Sequence, residues 1–313
     1  MPSLTSYTKP LTTEQAAKLK PLLDQQGFRF EPKPYCLYAA TKTGCNVLVY
    51  EKGPKVLVQG KGTEDFVTMV LEPMVLQKAE LGYEEVLHPE MFAPHIGVDE
   101  SGKGDFFGPL VIAGVYVDGR AAKHLQAEGV MDSKRIGTDK KIFALAKVIR
   151  ETPGLMHEVI VVGPKRYNEM YASFGNLNRL LAWGHARVIE NLLERKPDCP
   201  QAISDQFANP AVLQRALKER GKQIDLVQRT KAESDPAVAA ASILAREAFV
   251  RWLDENSAKL DVHLQKGASA EVKARAKELI AKHGPDALGG AAKMHFKTAS
   301  EVLGLPLGDE EQA

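Results

Sequence analysis

The chain has 313 residues, 44% of them hydrophobic, with 41 Lys and Arg against 40 Asp and Glu, a formal charge of +1. That length suggests about two domains with real cores, and the balanced charge supplies no global pull toward nucleic acid, so such a partner must be held by local patches. Cys36, Cys45 and Cys199 are sparse and lack C-x-x-C spacing, which argues against zinc or a disulfide framework and for a reducing compartment. The polar start MPSLTSYTKP has no apolar signal core and no run reaches membrane-spanning length, so a cytoplasmic protein without a membrane partner is expected.

In chain order, Thr12 and Gln15 form a capping box, and Ala16, Leu19, Leu22 and Leu23 recur at helical spacing up to Gly27. They predict a first helix, which Pro21 would bend or divide. Runs at 35–41, 46–50 and 55–59 have strand character, and the short links Lys42-Thr43-Gly44 and Lys52-Gly53-Pro54 suit an antiparallel meander. Phe66, Val67, Val70 and Leu71 return to helical spacing, interrupted by Pro73. The segment 1–79 thus reads as a small α+β domain. It carries ten Lys or Arg against seven Asp or Glu, and its lysines, Lys42 and Lys52 among them, interleave with Tyr35, Tyr38 and Tyr50. A sheet covered by helices on one face would offer these cations and rings to phosphates and bases on the other; simple solvation of turn lysines is the plainer reading of this segment alone. Residues 80–95 hold Glu84, Glu85 and Glu90 but no Lys or Arg, and read as a linker.

A second domain, 96–308, opens with IGVDESGKGDFFGPLVIAGVYV. Asp99 and Glu100 follow an apolar entry, then a Gly-Lys-Gly turn leads into a second apolar run. Paired acids at a buried strand end are costly without a cation. Strands and helices then alternate: a turn at GVMDSKRI, a helix over 140–150, a strand over 158–162, a long helix over 176–194, a strand over 201–204 leading into Asp205, a strand over 224–227, and a helix over 236–254. Residues 284–290 read as a mobile loop and the final GDEEQA as frayed.

Asp99, Glu100, Asp205 and Glu233 all fall at strand ends or at a strand-to-helix passage, where they converge on one sheet edge. Four oxygen donors without His or Cys at ligand spacing suit magnesium or manganese. Two such ions, roughly 3.5 to 4 Å apart, serve in-line phosphodiester hydrolysis. Asp205 could instead be a turn residue, and Glu233 or Asp235 a helix cap. Gly97 with Gly102-Lys103 also satisfies G-x-x-x-x-G-K, but Gly104 replaces the magnesium-binding hydroxyl and a strand follows, so a phosphate loop is disfavoured. The turn Gly102, Lys103 and Gly104 would rather approach a polynucleotide closely.

DESGKGD with FGPLVIAGV, DSKRI, NLNRLLAWGHA, SDQF and KAESDPAVAAASILAR together resemble the type 2 ribonuclease H family, and within it the ribonuclease HIII branch. The resemblance spans the second domain. It implies a ribonuclease H-like α/β fold with a mixed sheet and flanking helices, preceded by a small α+β domain resembling half of a TATA-binding-protein fold that grips substrate. It places catalysis and metal binding on Asp99, Glu100, Asp205 and Glu233, with Asp235 a competitor for the last place. Expected substrate contacts are Gly102, Lys103, Gly104, Ser133, Lys134, Asn176 and Asn178, with Tyr38, Lys42 and Lys52 in the first domain; Lys293, His295 and Lys297 are further candidates. The implied activity is two-metal endonucleolytic hydrolysis of RNA in an RNA/DNA hybrid, leaving 5′-phosphate and 3′-hydroxyl ends, by a monomer. The alternatives are a ribonuclease HII-like junction enzyme and a non-catalytic nucleic-acid-binding protein whose acids are structural.

Overall fold

The computed structural model describes residues 4–78, 89–230 and 232–305. The chain divides into two compact units, Met1–Glu90 and Met91–Ala313. Most of the expected linker, and the GDEEQA tail, lie outside the described residues.

In the first unit, β1 (Ser6–Pro10), β2 (Arg29–Glu31), β3 (Cys36–Lys42), β4 (Cys45–Tyr50) and β5 (Lys55–Gln59) form an antiparallel sheet ordered β1-β5-β4-β3-β2. The expected meander is its centre. The two edge strands escape notice because SYTKP and RFE are too short and polar to show an alternating pattern. Helix α1 (Thr13–Gln25) starts at the predicted box, Thr12 Oγ1 accepting from Gln15 N–H and Gln15 Oε1 from Thr12 N–H. It runs through Pro21 without dividing, because Leu19 and Leu23 on either side are buried against the sheet. A short α2 (Thr63–Phe66) widens into π-helical turns over Val67–Leu76, which accommodate Pro73 and its missing N–H.

The register of this sheet separates its faces. Val47, Val49, Val56 and Val58 lie under the helices, and β3 pairs Tyr38 with Val49 and Lys42 with Cys45. Tyr38 and Lys42 therefore belong to the covered face, not the open one. Tyr38 donates its hydroxyl to Ala16 O at 2.6 Å, and burial raises its pKa. Lys42 donates to Gln26 O at 2.8 Å, closing the C-terminal end of α1, with its ammonium 5.8 Å from the Phe28 ring centre. Both expected substrate contacts are instead engaged in holding α1 to the sheet.

In the second unit, β6 (His95–Ser101), β7 (Leu110–Val117), β8 (Met156–Val162), β9 (Gln201–Asp205) and β10 (Asp225–Arg229) form a mixed sheet ordered β10-β9-β6-β7-β8. β6, β9 and β10 run parallel, while β7 is antiparallel to both β6 and β8. The helices are α3 (Gly119–Ala127), α4 (Asp139–Glu151), α5 (Pro164–Phe174), α6 (Leu177–Arg195), α7 (Pro210–Ala216), α8 (Pro236–Leu260), α9 (Ala270–His283), α10 (Leu288–Ala291) and α11 (Lys297–Leu303).

Strand period sorts the core. Val111, Ala113, Val115 and Val117 of β7 pack toward α3, α4, α8 and α9, whereas Leu110, Ile112 and Tyr116 pack toward α5, α6 and α7. At Gly97 a side-chain Cβ would fall 2.2 Å from Val238 N, so the start of α8 lies directly on β6. That contact requires glycine there, whatever the phosphate-loop pattern suggests. Residues 284–290 take helical turns, because Leu288 is buried and the Asn168 amide holds Gly289 O and Ala292 O at 3.1 and 3.0 Å. Among the described residues no helix is long and apolar enough to cross a membrane.

Candidate active site

The four acids reach one edge of the mixed sheet from three elements. In the parallel register Gly97 pairs with Ile203 and Val98 with Ser204, which brings Asp99 alongside Asp205. Alternation along β6 places Ile96 and Val98 on the α6 side and Gly97 on the α8 side. Asp99 consequently projects toward the start of α8, as Asp205 does, and Glu100 projects toward α6. Glu233 enters from the 3-10 turn Ala232–Ser234 that precedes α8, on Asp99's side. Two adjacent acids thus serve opposite faces of one strand end.

Electrostatics confirm the grouping around Asp99. Lys134 lies where Asp99, Asp132, Glu233 and Asp205 all act on it; desolvation would push its ammonium down, but these carboxylates carry it above its ordinary value. Burial and then the Glu100 charge push Asp99 well above the usual carboxylate range, opposed by the Glu100 N–H at 2.8 Å and by Lys134. Lys134 is set by a local turn: Asp132 accepts from Lys134 N–H at 3.0 Å, and the buried Ser133 donates its N–H to Ser242 Oγ of α8 at 3.0 Å.

Glu100 has different company. His185 Nε2 lies 3.0 Å from its Oε2, His185 Nδ1 lies 3.0 Å from Ser204 Oγ, and that hydroxyl donates to Asp205 O at 3.1 Å. A carboxylate can only accept, so Nε2 is the natural donor to Glu100, and Ser204 Oγ holds the other ring nitrogen. Burial would raise the Glu100 pKa, but His185, Lys103 and Lys134 together bring it below the ordinary value. Lys103 Nζ is 3.8 Å from Glu100 Oε1 and 5.9 Å from the Phe207 ring centre.

The Gly-Lys-Gly turn is built for exposure at its tip. Gly102 is buried at φ +90°, where a Cβ would meet Pro109 O at 2.2 Å, while Gly104 is exposed with nothing within 4 Å of such a Cβ. Behind the turn, the fully buried Lys293 donates to Asp105 O and Gly108 O at 2.8 Å and to Phe107 O at 3.4 Å. Burial pushes its pKa down to about 7. Lys293 is therefore an anchor of this loop and not the nucleic-acid contact expected for it. His295 stacks on Tyr171 at 4.3 Å, its pKa pushed down to about 4 by burial, and Lys297 opens α11.

Asp235 is distinct from the four. It is fully buried, caps α8 by accepting from Ala237 and Val238 N–H, and accepts from His95 Nε2 at 2.9 Å. It serves the helix start, whereas Glu233 faces the acids around Lys134. Asn176 caps α6 with its side-chain oxygen and, with Asn178, lines a groove of about 660 Å³.

Sequence reasoning missed His185, Ser204 and the anchoring role of Lys293. His185 had a readable signal, since it follows Leu181 and precedes Ile189 at four-residue spacing on the apolar face of α6. Lys293 had none, because a buried lysine satisfied by three carbonyls has no local pattern.

The donor chemistry suits a hard divalent cation: the site's acids offer carboxylate oxygens and no His or Cys donor, and burial with the neighbouring Glu100 charge raises the Asp99 pKa. As they stand, no three described His, Cys, Asp or Glu side chains are grouped to hold one ion. Glu100 is turned to His185, while Asp99 Oδ1 and Asp205 Oδ1 accept from the N–H groups of Glu100 and Ala232. Side-chain rotations away from these partners would be needed to gather them.

A strand-end acid cluster on a mixed α/β sheet defines the class of metal-dependent ribonucleases H. The family model described as ribonuclease HII matches residues 96–299. Over 304 residues the chain is 42% identical to the ribonuclease HIII of Protochlamydia amoebophila, covering 97% of this chain and 99% of that protein. It is 41% identical to that of Chlamydia abortus over 300 residues, 95% of this chain and 97% of the other. Among solved structures, Bst-RNase HIII in complex with Mn2+ aligns with a TM-score of 0.67 and 29% identity over 96% of this chain and 98% of that one. The chain belongs to the type 2 ribonuclease H family, in its ribonuclease HIII branch, and is an endoribonuclease of the H type.

Proposed function

We propose that this enzyme hydrolyses the RNA strand of RNA/DNA hybrids with magnesium or manganese, leaving 5′-phosphate and 3′-hydroxyl ends. The observation that carries this reading is the convergence of Asp99, Asp205 and Glu233 on Lys134, with Glu100 fixed beside them by His185. The four acids would hold the metal, whose chemistry when bound is activation of water and neutralisation of charge at the phosphate. Lys134 balances the acids before metal arrives and stands ready for a phosphate oxygen. The exposed Gly104 leaves room for close backbone approach, where a ribose 2′-hydroxyl distinguishes RNA from DNA. Ser133 orients Lys134 through the main chain.

In the first unit the grip passes to Lys52, exposed in the β4–β5 turn, and to Lys55, 5.3 Å from the Tyr50 ring centre on the open sheet face. We place the enzyme, acting as a monomer, in the cytoplasm, in keeping with three free cysteines.

The test is cleavage of an end-labelled hybrid with and without chelator, for the unmodified enzyme and for Glu233→Gln. Metal-dependent cleavage that the variant loses while still binding hybrid supports the assignment; equal cleavage by both would overturn it. A duplex with one embedded ribonucleotide, assayed beside the hybrid, tests whether the enzyme prefers continuous hybrid; efficient cutting of that duplex would argue for junction-type cleavage instead.

A further inference from the structure

The groove of about 660 Å³ between the first turns of α6 and the helix α7 lies outside the acid cluster. Its walls include Phe174, Asn178, Arg179, Trp183, Asn209 and Arg215, and no Asp or Glu lines it. On the same side Arg195 lies 3.2 Å from Glu158 and Arg220 lies 3.1 Å from Glu194, while Arg187, further along α6, is exposed and without a carboxylate partner among the described residues. Arg179 and Arg215 are exposed and have no carboxylate partner among the described residues. These two guanidiniums share one concave wall with an indole, and the fold gains no ion pair from either. They suit a phosphate, which guanidinium binds through paired N–H groups, beside a sugar or base laid on an aromatic ring.

The groove follows the acid site along the chain. β9 ends at Asp205, and the chain then passes through Phe207 to Ala208 and Asn209, which line the groove. The Phe207 ring lies 4.8 Å from the His185 ring and 5.9 Å from Lys103 Nζ, both of which face Glu100. A strand leaving the acids over Phe207 would enter the groove next.

We propose that this groove is a second nucleic-acid subsite, in which Arg179 and Arg215 hold a phosphodiester of the hybrid beyond the scissile step while Trp183 packs against the adjoining sugar or base. The proposal rests on the hybrid-nuclease reading above. It makes the enzyme's affinity depend on hybrid length, because a short hybrid would occupy the acids and leave the groove empty.

The experiment compares Arg179→Gln, Arg215→Gln and the double variant with the unmodified enzyme, on a long hybrid and on the shortest hybrid the unmodified enzyme still cuts. Both side chains are exposed, so circular dichroism and melting should be unchanged. On the long hybrid the double variant is expected to show KM raised roughly tenfold with kcat unchanged, and a log–log salt slope reduced by about 1, from roughly 0.9 per phosphate contact. On the shortest hybrid it should match the unmodified enzyme. Unchanged KM and salt slope on the long hybrid would overturn the subsite, as would equal weakening on both hybrids, which would put the two arginines at the cleavage site. Binding of labelled hybrid in chelator separates this from the function itself. If the unmodified enzyme cleaves and the variants bind like it, the subsite alone fails; if the unmodified enzyme cuts no hybrid with either metal, the nuclease reading fails and the subsite with it.

Discussion

Asp99 and Glu100 are neighbours on one strand, yet their surroundings differ sharply. Burial and the Glu100 charge raise the Asp99 pKa, with Lys134 as its main positive company; Glu100 faces His185 and Lys103, and its pKa falls despite burial. The pleat produces this division, because consecutive side chains must take opposite faces of the sheet. One acid is left in electrostatic need of a cation and the other is oriented in advance. In the proposed metal site, an acid already held in place beside an uncompensated one would let a divalent ion bind with less rearrangement than two free carboxylates would require.

The sharpest way to break that comparison is to remove charge from the uncompensated side. Asp99→Asn keeps the shape of the side chain and deletes the excess negative charge, so hybrid binding should persist while kcat falls on the order of 10³-fold, about 4 kcal/mol of barrier. Single-turnover cleavage and binding under chelation measure the two quantities separately. The same variant should not be less stable, since it relieves repulsion between Asp99 and Glu100; a marked loss of melting temperature would contradict the account of its pKa.

On the compensated side the effect should be smaller. His185→Gln replaces an imidazole hydrogen-bonded at both ends, to Ser204 and to Glu100, with a shorter amide that cannot bridge them in the same way. A partner of this kind typically contributes about 10- to 100-fold in metal affinity or activity. Titration calorimetry with Mn2+ reads the affinity without requiring turnover. Unchanged metal affinity would make His185 a packing residue only, and the contrast between the two acids would lose its meaning.

Much of this candidate site could be proposed from the chain because its parts are local. The acids sit at the ends of apolar runs, and the β9 run with its terminal Asp205 is visible as four residues and a turn. What could not be read depends on register and long-range contact. Tyr38 and Lys42 look like open-face residues until β3 is aligned with Val49 and Cys45, a choice of register that a single-residue shift would invert. Asp235 and Glu233, two residues apart, are equivalent in sequence, and only the position of His95, 140 residues away, separates the helix cap from the site acid. Helices such as α3 and α5 were missed for a different reason: GRAAKHLQA and PKRYNEMYASF are largely polar, with few buried residues to mark a stripe.

The smallest expected effect concerns the support beneath Glu233. His95 is fully buried at the start of β6, with Nδ1 2.7 Å from Ala93 O and Nε2 2.9 Å from Asp235 Oδ1. A carbonyl can only accept, so Nδ1 carries hydrogen, and an ionised Asp235 requires hydrogen on Nε2 as well. Burial would lower the His95 pKa, but the hydrogen bond and charge of Asp235, with the Ala93 carbonyl, carry it above 6.5. The sign of the linkage follows: a folded pKa above the unfolded one means the folded state binds the extra proton, so this stabilisation is complete below about pH 6.5 and fades as pH rises through the folded value. His95→Gln can keep one hydrogen bond to Asp235 but cannot titrate. It should cost about 1.5 kcal/mol of stability at low pH, the typical contribution of a charge-assisted hydrogen bond, and progressively less as the pH is raised above 6.5. Paired thermal melts across that range would show the gap closing. A gap that stays constant or widens with pH would mean that His95 is buried neutral, and that the start of α8 is held against β6 by packing at Gly97 alone.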